Sequence, residues 1–235
     1  YTYGTNGLPF SDPVYVNLVD SVLIKKDVTS AKNKDLDKLV VFVHWGYEYR
    51  DFPNSYQKKY NRFFQDLGVD IVIGSHPHVI QPMEYSKKNN DEFLTVFSLG
   101  NFISNQRAER KDGGAMFRLS FKKTENNILI FRKEYIPVWV HKFMAKEKYH
   151  FQILPCARPI YNENYFSNKK DFQKMKTFLD NTRAHLETNN LEVKEGLPYG
   201  LIKFKPITIL QSQGPDIRKL DVNNLKTKRR KKRRK

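Results

Sequence analysis

Apolar residues first gather without gaps in LVVFVH, residues 39–44. Continuous β-branched and aromatic character predicts a strand buried on both faces and ending on His44. After the polar, turn-prone stretch GYEYRDFPNS the period changes. Tyr56, Tyr60, Phe63, Phe64 and Leu67 recur at helical spacing, Asn54 or Ser55 can cap the start, and Gly68 suits the stop. This predicts an amphipathic helix of about three turns. VDIVIG repeats the buried-strand pattern, so residues 39–78 read strand, helix, strand. A crossover of that length makes the two strands parallel.

A third run, EFLTVFSLGNF, follows the polar turn KKNND. Beyond Gly113 and Gly114 the segments AMFRLSF and ILIFRKEYIPVWV alternate around KTENN, which predicts an antiparallel hairpin. Residues 168–189 read as an amphipathic helix with Phe172, Met175, Phe178, Leu179, Thr182 and Leu186 on one face. From 190 onward only short apolar runs such as GLIKFKPITIL precede the ending KTKRRKKRRK. The chain is therefore α/β first and antiparallel second. Its expected division is a domain over 1–160, a helical extension over 161–190, and an irregular segment with a polybasic tail over 191–235.

Composition narrows the class. With 39% hydrophobic and 14% aromatic residues among 235, the chain can bury one sizeable core. No stretch approaches the roughly 18 to 20 consecutive apolar residues of a spanning helix, and YTYGTNGLPF lacks the charged and apolar regions of a signal peptide. Cys156 is the single cysteine, which excludes an internal disulfide and a thiolate cluster. The net charge is +17, and nine of the last ten residues are Lys or Arg, so more than half of it lies in the tail. Like charges at this density predict disorder and attraction to polyanions: nucleic acid, an anionic membrane face or an acidic polymer. Aromatic interleaving is absent from KTKRRKKRRK, which argues against base stacking.

Candidate chemistry collects on histidine. In parallel α/β sheets ligands bind beyond the carboxyl ends of the strands, so His44 at one strand end and His76 and His78 after the next share an edge. Side chains two apart in an extended segment project to one side, and Pro77 biases His76 towards that conformation. Gly74 is expected to let the backbone turn out of the strand. Three neutral imidazoles converging at one place suit Zn, Mn or Fe, with Glu48, Asp51 or Glu84 as candidate acceptors for their remaining ring nitrogens. Glu48, four residues after His44, is also a candidate base. Trp45, Tyr47 and Tyr49 could stack on a sugar but are expected to pack. His141, His150 and His185 stand alone and are expected to be structural.

HWGYEY (44–49), Pro53 to Gln57 (PNSYQ), LGVDIVIGSHPHVIQPMEY (67–85) and FSLGNFISNQ (97–106) together resemble the bacterial CapA-type poly-γ-glutamate (capsule) synthesis proteins. That family is similar to the calcineurin-like metallophosphoesterases. The likeness covers roughly residues 1–156 and implies the C-terminal portion of a layered α/β sandwich with a two-metal site at its sheet edge. His44 matches a lone histidine after a strand, and His76 and His78 match a G-x-H-x-H-like motif, here GSHPH with Ser75 inserted. Ser98 to Phe102, SLGNF, matches a further family motif, for which a strand end with a tight turn at Gly100 is preferred to a direct catalytic role.

The resemblance also implies what is missing. Such families take further ligands from G-D and N-N-H motifs, which residues 1–38 do not contain. With Tyr1 in place of Met, the expectation is a C-terminal fragment that holds part of a site, binds a single metal weakly and lacks appreciable phosphoesterase activity. For the intact protein the resemblance implies capsule biosynthesis with a metal-dependent hydrolase-type site. The alternative is a non-catalytic envelope scaffold that holds an anionic polymer on a basic surface. Expected partners are an anionic capsular polymer or membrane surface and other capsule-synthesis subunits, rather than nucleic acid. The expected setting is extracytoplasmic or membrane-associated.

Overall fold

A computed structural model describes residues 1–198 apart from 10, 13, 90, 126, 159 and 160. The run GLIKFKPITIL and the KTKRRKKRRK tail, with its expected disorder, lie outside the described residues. In chain order the elements are α1 (Ser21–Lys32), β1 (Val40–His44), α2 (Ser55–Asp66), β2 (Ile71–Ser75), β3 (Met83–Lys88) and β4 (Asp91–Val96). After these come β5 (Gly113–Lys123), β6 (Ile128–Ala145), β7 (Lys148–Pro155), a 3-10 turn (Glu163–Tyr165), α3 (Lys169–Asn189) and β8 (Lys194–Glu195). Among the described residues no helix is long and apolar enough to cross a membrane.

The first sheet has the order β1-β2-β4-β3. β1 pairs parallel with β2 from Val40↔Ile71 to His44↔Ser75, and β2 pairs parallel with β4. β3 runs antiparallel to β4, closing a hairpin at Lys88↔Asp91 that the polar sequence MEYSKK does not advertise. The second sheet is antiparallel in the order β5-β6-β7, with β8 beside β6. The expected hairpin is therefore β5–β6, paired from Gly113↔Trp139 to Lys123↔Ile128.

α2 forms for the predicted reasons. The Asn54 side chain accepts from the Gln57 amide, Gln57 reaches back to the Asn54 amide in a capping box, and Gly68 follows the last turn with φ +73°. α1 begins at Asp20, whose carboxylate accepts from the Leu23 amide. With only Ile24 and Val28 buried, its apolar stripe is too narrow to stand out in the sequence.

Two cores result. One face of the first sheet (Val41, Val43, Val72, Phe93) packs with Ile24 and Val28 of α1 and Phe64 of α2. The other face (Ile71, Leu94, Val96) meets Ala115, Trp139 and Leu154 of the second sheet and Met175, Phe178 and Leu186 of α3. That second core corrects the reading of β1. Its members include residues of β2 and β4 but none of β1, so on that side Val40 and Phe42 stay 41% and 69% exposed. β1 is buried on one face only, because the second sheet does not extend across it.

Candidate metal centre

Three loops leave the carboxyl ends of β1, β2 and β4 and meet, as the parallel arrangement requires. Residues 45–54 are pinned to residues 75–82 by the Trp45 amide on Ser75 O at 3.0 Å and the Tyr49 amide on Pro77 O at 2.7 Å. Beneath them the fully buried Gln57 donates to Gln81 Oε1 at 2.7 Å, and Gln81 Nε2 donates to Arg50 O at 2.8 Å. A buried amide ladder of this kind leaves each loop little freedom.

The histidines converge, but not through an extended backbone. His76 has φ +107° and His78 φ +60°, with Tyr49 at +62° across the site. Non-glycine residues in this region are uncommon and cost about 1–3 kcal/mol each, a strain that persists where surrounding contacts over-determine it. The left-handed turns, rather than the alternation of a strand, bring the His76 and His78 ring centroids to 6.0 Å. Gly74 likewise has a different role from the expected turn: it remains in β2, and a Cβ there would meet Phe97 O at 2.2 Å and Trp45 Nε1 at 2.4 Å. Only glycine admits the Trp45 indole, which donates to Phe97 O at 3.0 Å.

His44 Nε2 lies 3.2 Å from His76 Nδ1, and His78 Nε2 lies 3.8 Å from Glu48 Oε1. Two atoms each bound about 2.1 Å from one ion are separated by at most about 4.2 Å, so both pairs fit a shared cation. One ligand atom each from Glu48, His76 and His78 lie within 4.8 Å of one another, so these three can hold a metal ion with at most a small closure. Burial pushes the His44 imidazole below its ordinary pKa, and the neighbouring His76 and His78 add to this. Burial lowers His76 as well, against the opposing charge of Glu48. Both rings are thus held neutral, as ligation needs. The donor set, imidazole with one carboxylate, suits Zn, Mn or Fe.

The acceptors behind the rings are not those the sequence suggested. Asp51 is bonded to Arg110 Nη1 at 2.6 Å, and Glu84 lies on β3. The distal ring nitrogens instead meet Thr2 Oγ1, 3.1 Å from His44 Nδ1, and Asn101 Oδ1, 2.8 Å from His78 Nδ1. Thr2 reaches the site because residues 1–3 lie beside β1, with the His44 amide on Tyr1 O at 2.8 Å. Asn101 sits in the SLGNF motif, so the signal was legible but its chemistry was not. Trp45 packs as expected, whereas Tyr47 and Tyr49 are exposed at the rim. Tyr3 lies beside the site, its ring centroid 4.5 Å from that of His76. His141 is buried beside Asp171, His150 faces Ala145 O, and His185 meets Phe52, so none of them joins the trio.

Residues 4–106 match the family model described as bacterial capsule synthesis protein PGA_cap. Residues 4–106 are similar to CapA-type capsule synthesis proteins. His44, Glu48, His76, His78 and Asn101 all lie inside the matched residues. The PGA biosynthesis protein CapA of Bacillus subtilis (strain 168) is 34% identical over 113 residues, 48% of this chain. The capsule biosynthesis protein CapA of Bacillus anthracis is 31% identical over 120 residues, 50% of this chain. In each case the match spans 28% of the relative's length.

Proposed function

We propose that the intact protein serves capsule, poly-γ-glutamate, biosynthesis in the cell envelope, and that His44, His76, His78 and Glu48 bind a divalent ion used in hydrolase-type chemistry. The observation that carries this reading is that Glu48, His76 and His78 each bring one ligand atom within 4.8 Å of one another, with His44 Nε2 3.2 Å from His76 Nδ1. A divalent ion in such a site acts as a Lewis acid and lowers the pKa of a water molecule towards about 7. The chain's own part is to orient the donors and keep the His44 and His76 imidazoles neutral. Glu48, the more exposed partner of the pair it forms with His78, would be the group to take a proton. Tyr47, the more exposed of the two tyrosines, would offer a ring face to a polymeric substrate. The test is replacement of His76 and His78 by alanine in the full-length protein. Lost capsule formation is expected, and unchanged formation would refute a catalytic role.

A second reading has its own observation, the net charge of +17 with nine basic residues in the last ten. On this reading the protein is a scaffold that holds an anionic capsular polymer or membrane surface by counterion release. Removing residues 226–235 should then weaken polymer binding at low salt, while the histidine variants should leave it unchanged.

A further inference from the structure

We infer that Asn101 is a positioning residue that holds His78 as the Nδ1–H tautomer, leaving Nε2 bare towards Glu48, and that Thr2 does the same for His44. The argument is one of proton bookkeeping. Asn101 Nδ2 lies 2.8 Å from Lys111 O and 3.4 Å from His78 O, two carbonyls that can only accept. The amide nitrogen must therefore face them, which turns Oδ1 to His78 Nδ1 at 2.8 Å. An amide oxygen has no proton to give, so the proton of this bond is on His78 Nδ1. Nε2, 3.8 Å from Glu48 Oε1, keeps its lone pair.

Thr2 works by the same logic. Its hydroxyl has one proton, and Oγ1 lies 2.8 Å from Gly4 O, which can only accept. Towards His44 Nδ1, at 3.1 Å, Oγ1 is left as an acceptor. His44 Nε2 then presents a lone pair to His76. Two unrelated segments thus enforce one tautomer on two imidazoles and aim both Nε2 atoms inward.

Asn101 is fixed in turn by the second sheet. Its amide donates to Gly113 O at 3.0 Å, and the Ala115 amide donates to Leu99 O at 2.8 Å. A Cβ on Gly114 would meet Leu99 O at 2.6 Å and Asn101 O at 2.7 Å, so glycine permits this approach. The tightly turned SLGNF segment is thereby a strut between β5 and the histidines, and the asparagine is its working group.

The consequence for metal affinity rests on the metal-centre reading, whereas the tautomer stands without a metal. The experiment therefore has two arms on the whole chain. Long-range proton–nitrogen correlation spectra of the metal-free, 15N-labelled protein should show His78 with a protonated Nδ1 and a bare Nε2 in the wild type and in Asn101→Asp. In Asn101→Leu the Nδ1–H signature should be lost. Zn(II) titration should then show Asn101→Leu weakened by about 10–100-fold and Asn101→Asp within a few-fold of wild type. Both variants lose the Nδ2 bonds to Lys111 O and His78 O, and only Asp keeps the acceptor, so a merely structural role would weaken both alike. An Nε2–H tautomer in the wild type, or equal losses in the two variants, overturns the inference. Absence of Zn(II) binding to the wild type would refute the metal centre and leave the tautomer arm to decide. If Asn101→Leu fails to fold, the wild-type and Asn101→Asp spectra still decide it.

Discussion

His44 Nε2 and His76 Nδ1 stand 3.2 Å apart at the ends of adjacent parallel strands, with Thr2 behind one ring and the Tyr3 ring beside the other. Two bare ring nitrogens do not rest that close unless a proton or a cation lies between them. Replacing His44 by alanine should weaken Zn(II) or Mn(II) binding by more than the roughly 10–100-fold that a supporting hydrogen bond contributes. Circular dichroism should stay unchanged, since His44 ends β1 and is only half-buried. Calorimetric titration reads the affinity, and an unchanged value would remove His44 from the centre.

Acid should undo the site in a definite direction. The native pKa values of His44 and His76 are lowered chiefly by burial from the ordinary value near 6.5. The unfolded chain therefore takes up protons first. The stability tied to these rings is complete above about pH 6.5 and is lost as the pH falls through their native values. His141 and His185, also lowered by burial, act in the same sense, while Glu84 and Asp112, raised by burial, act oppositely. The urea midpoint should drop between about pH 7.5 and 5.5, and drop less in His44→Gln. Identical profiles for the two proteins would contradict this.

Gly74→Ala should be among the most damaging small changes. The added methyl group meets the Phe97 carbonyl and the Trp45 indole, neither of which can yield without breaking the bond between them. Overpacking of this kind costs about 1–3 kcal/mol or more, read from the urea unfolding midpoint. The Trp45 environment should change as well, visible in near-UV circular dichroism.

Phe178 tests whether α3 is an appendage or part of the domain. It is 2% exposed in the core that joins both sheets, and a Cβ on Gly113 would lie 2.6 Å from its ring. Phe178→Ala should cost about 3–5 kcal/mol in a single cooperative unfolding transition. A loss confined to α3, with the sheets unaffected, would support a separate helical extension.

The strand, helix, strand unit was legible because Val41, Phe64 and Val72 carry clean periodicity and Asn54 carries a capping signature. The half-exposed state of β1 was not, since Val40 and Phe42 are apolar whether or not a second sheet covers them. β3 was missed because MEYSKK buries only Met83 and is held by pairing with β4, a non-local cause. At the candidate site, the convergence of His44, His76 and His78 could be read from their places at strand ends. Their backbone conformation could not, because positive φ at His76 and His78 is imposed by the loops they touch. The supports were hidden for a similar reason: Thr2 and Asn101 are 42 and 23 residues from the rings they hold.

The most direct test of the metal centre is the stoichiometry of Zn(II) or Mn(II) bound to the purified chain, measured by calorimetry and elemental analysis beside the His76→Ala/His78→Ala double variant. These residues bring donors for one ion rather than two, so the account predicts one equivalent bound by the wild type and none by the variant. No binding to the wild type, or the same stoichiometry in both proteins, would contradict it.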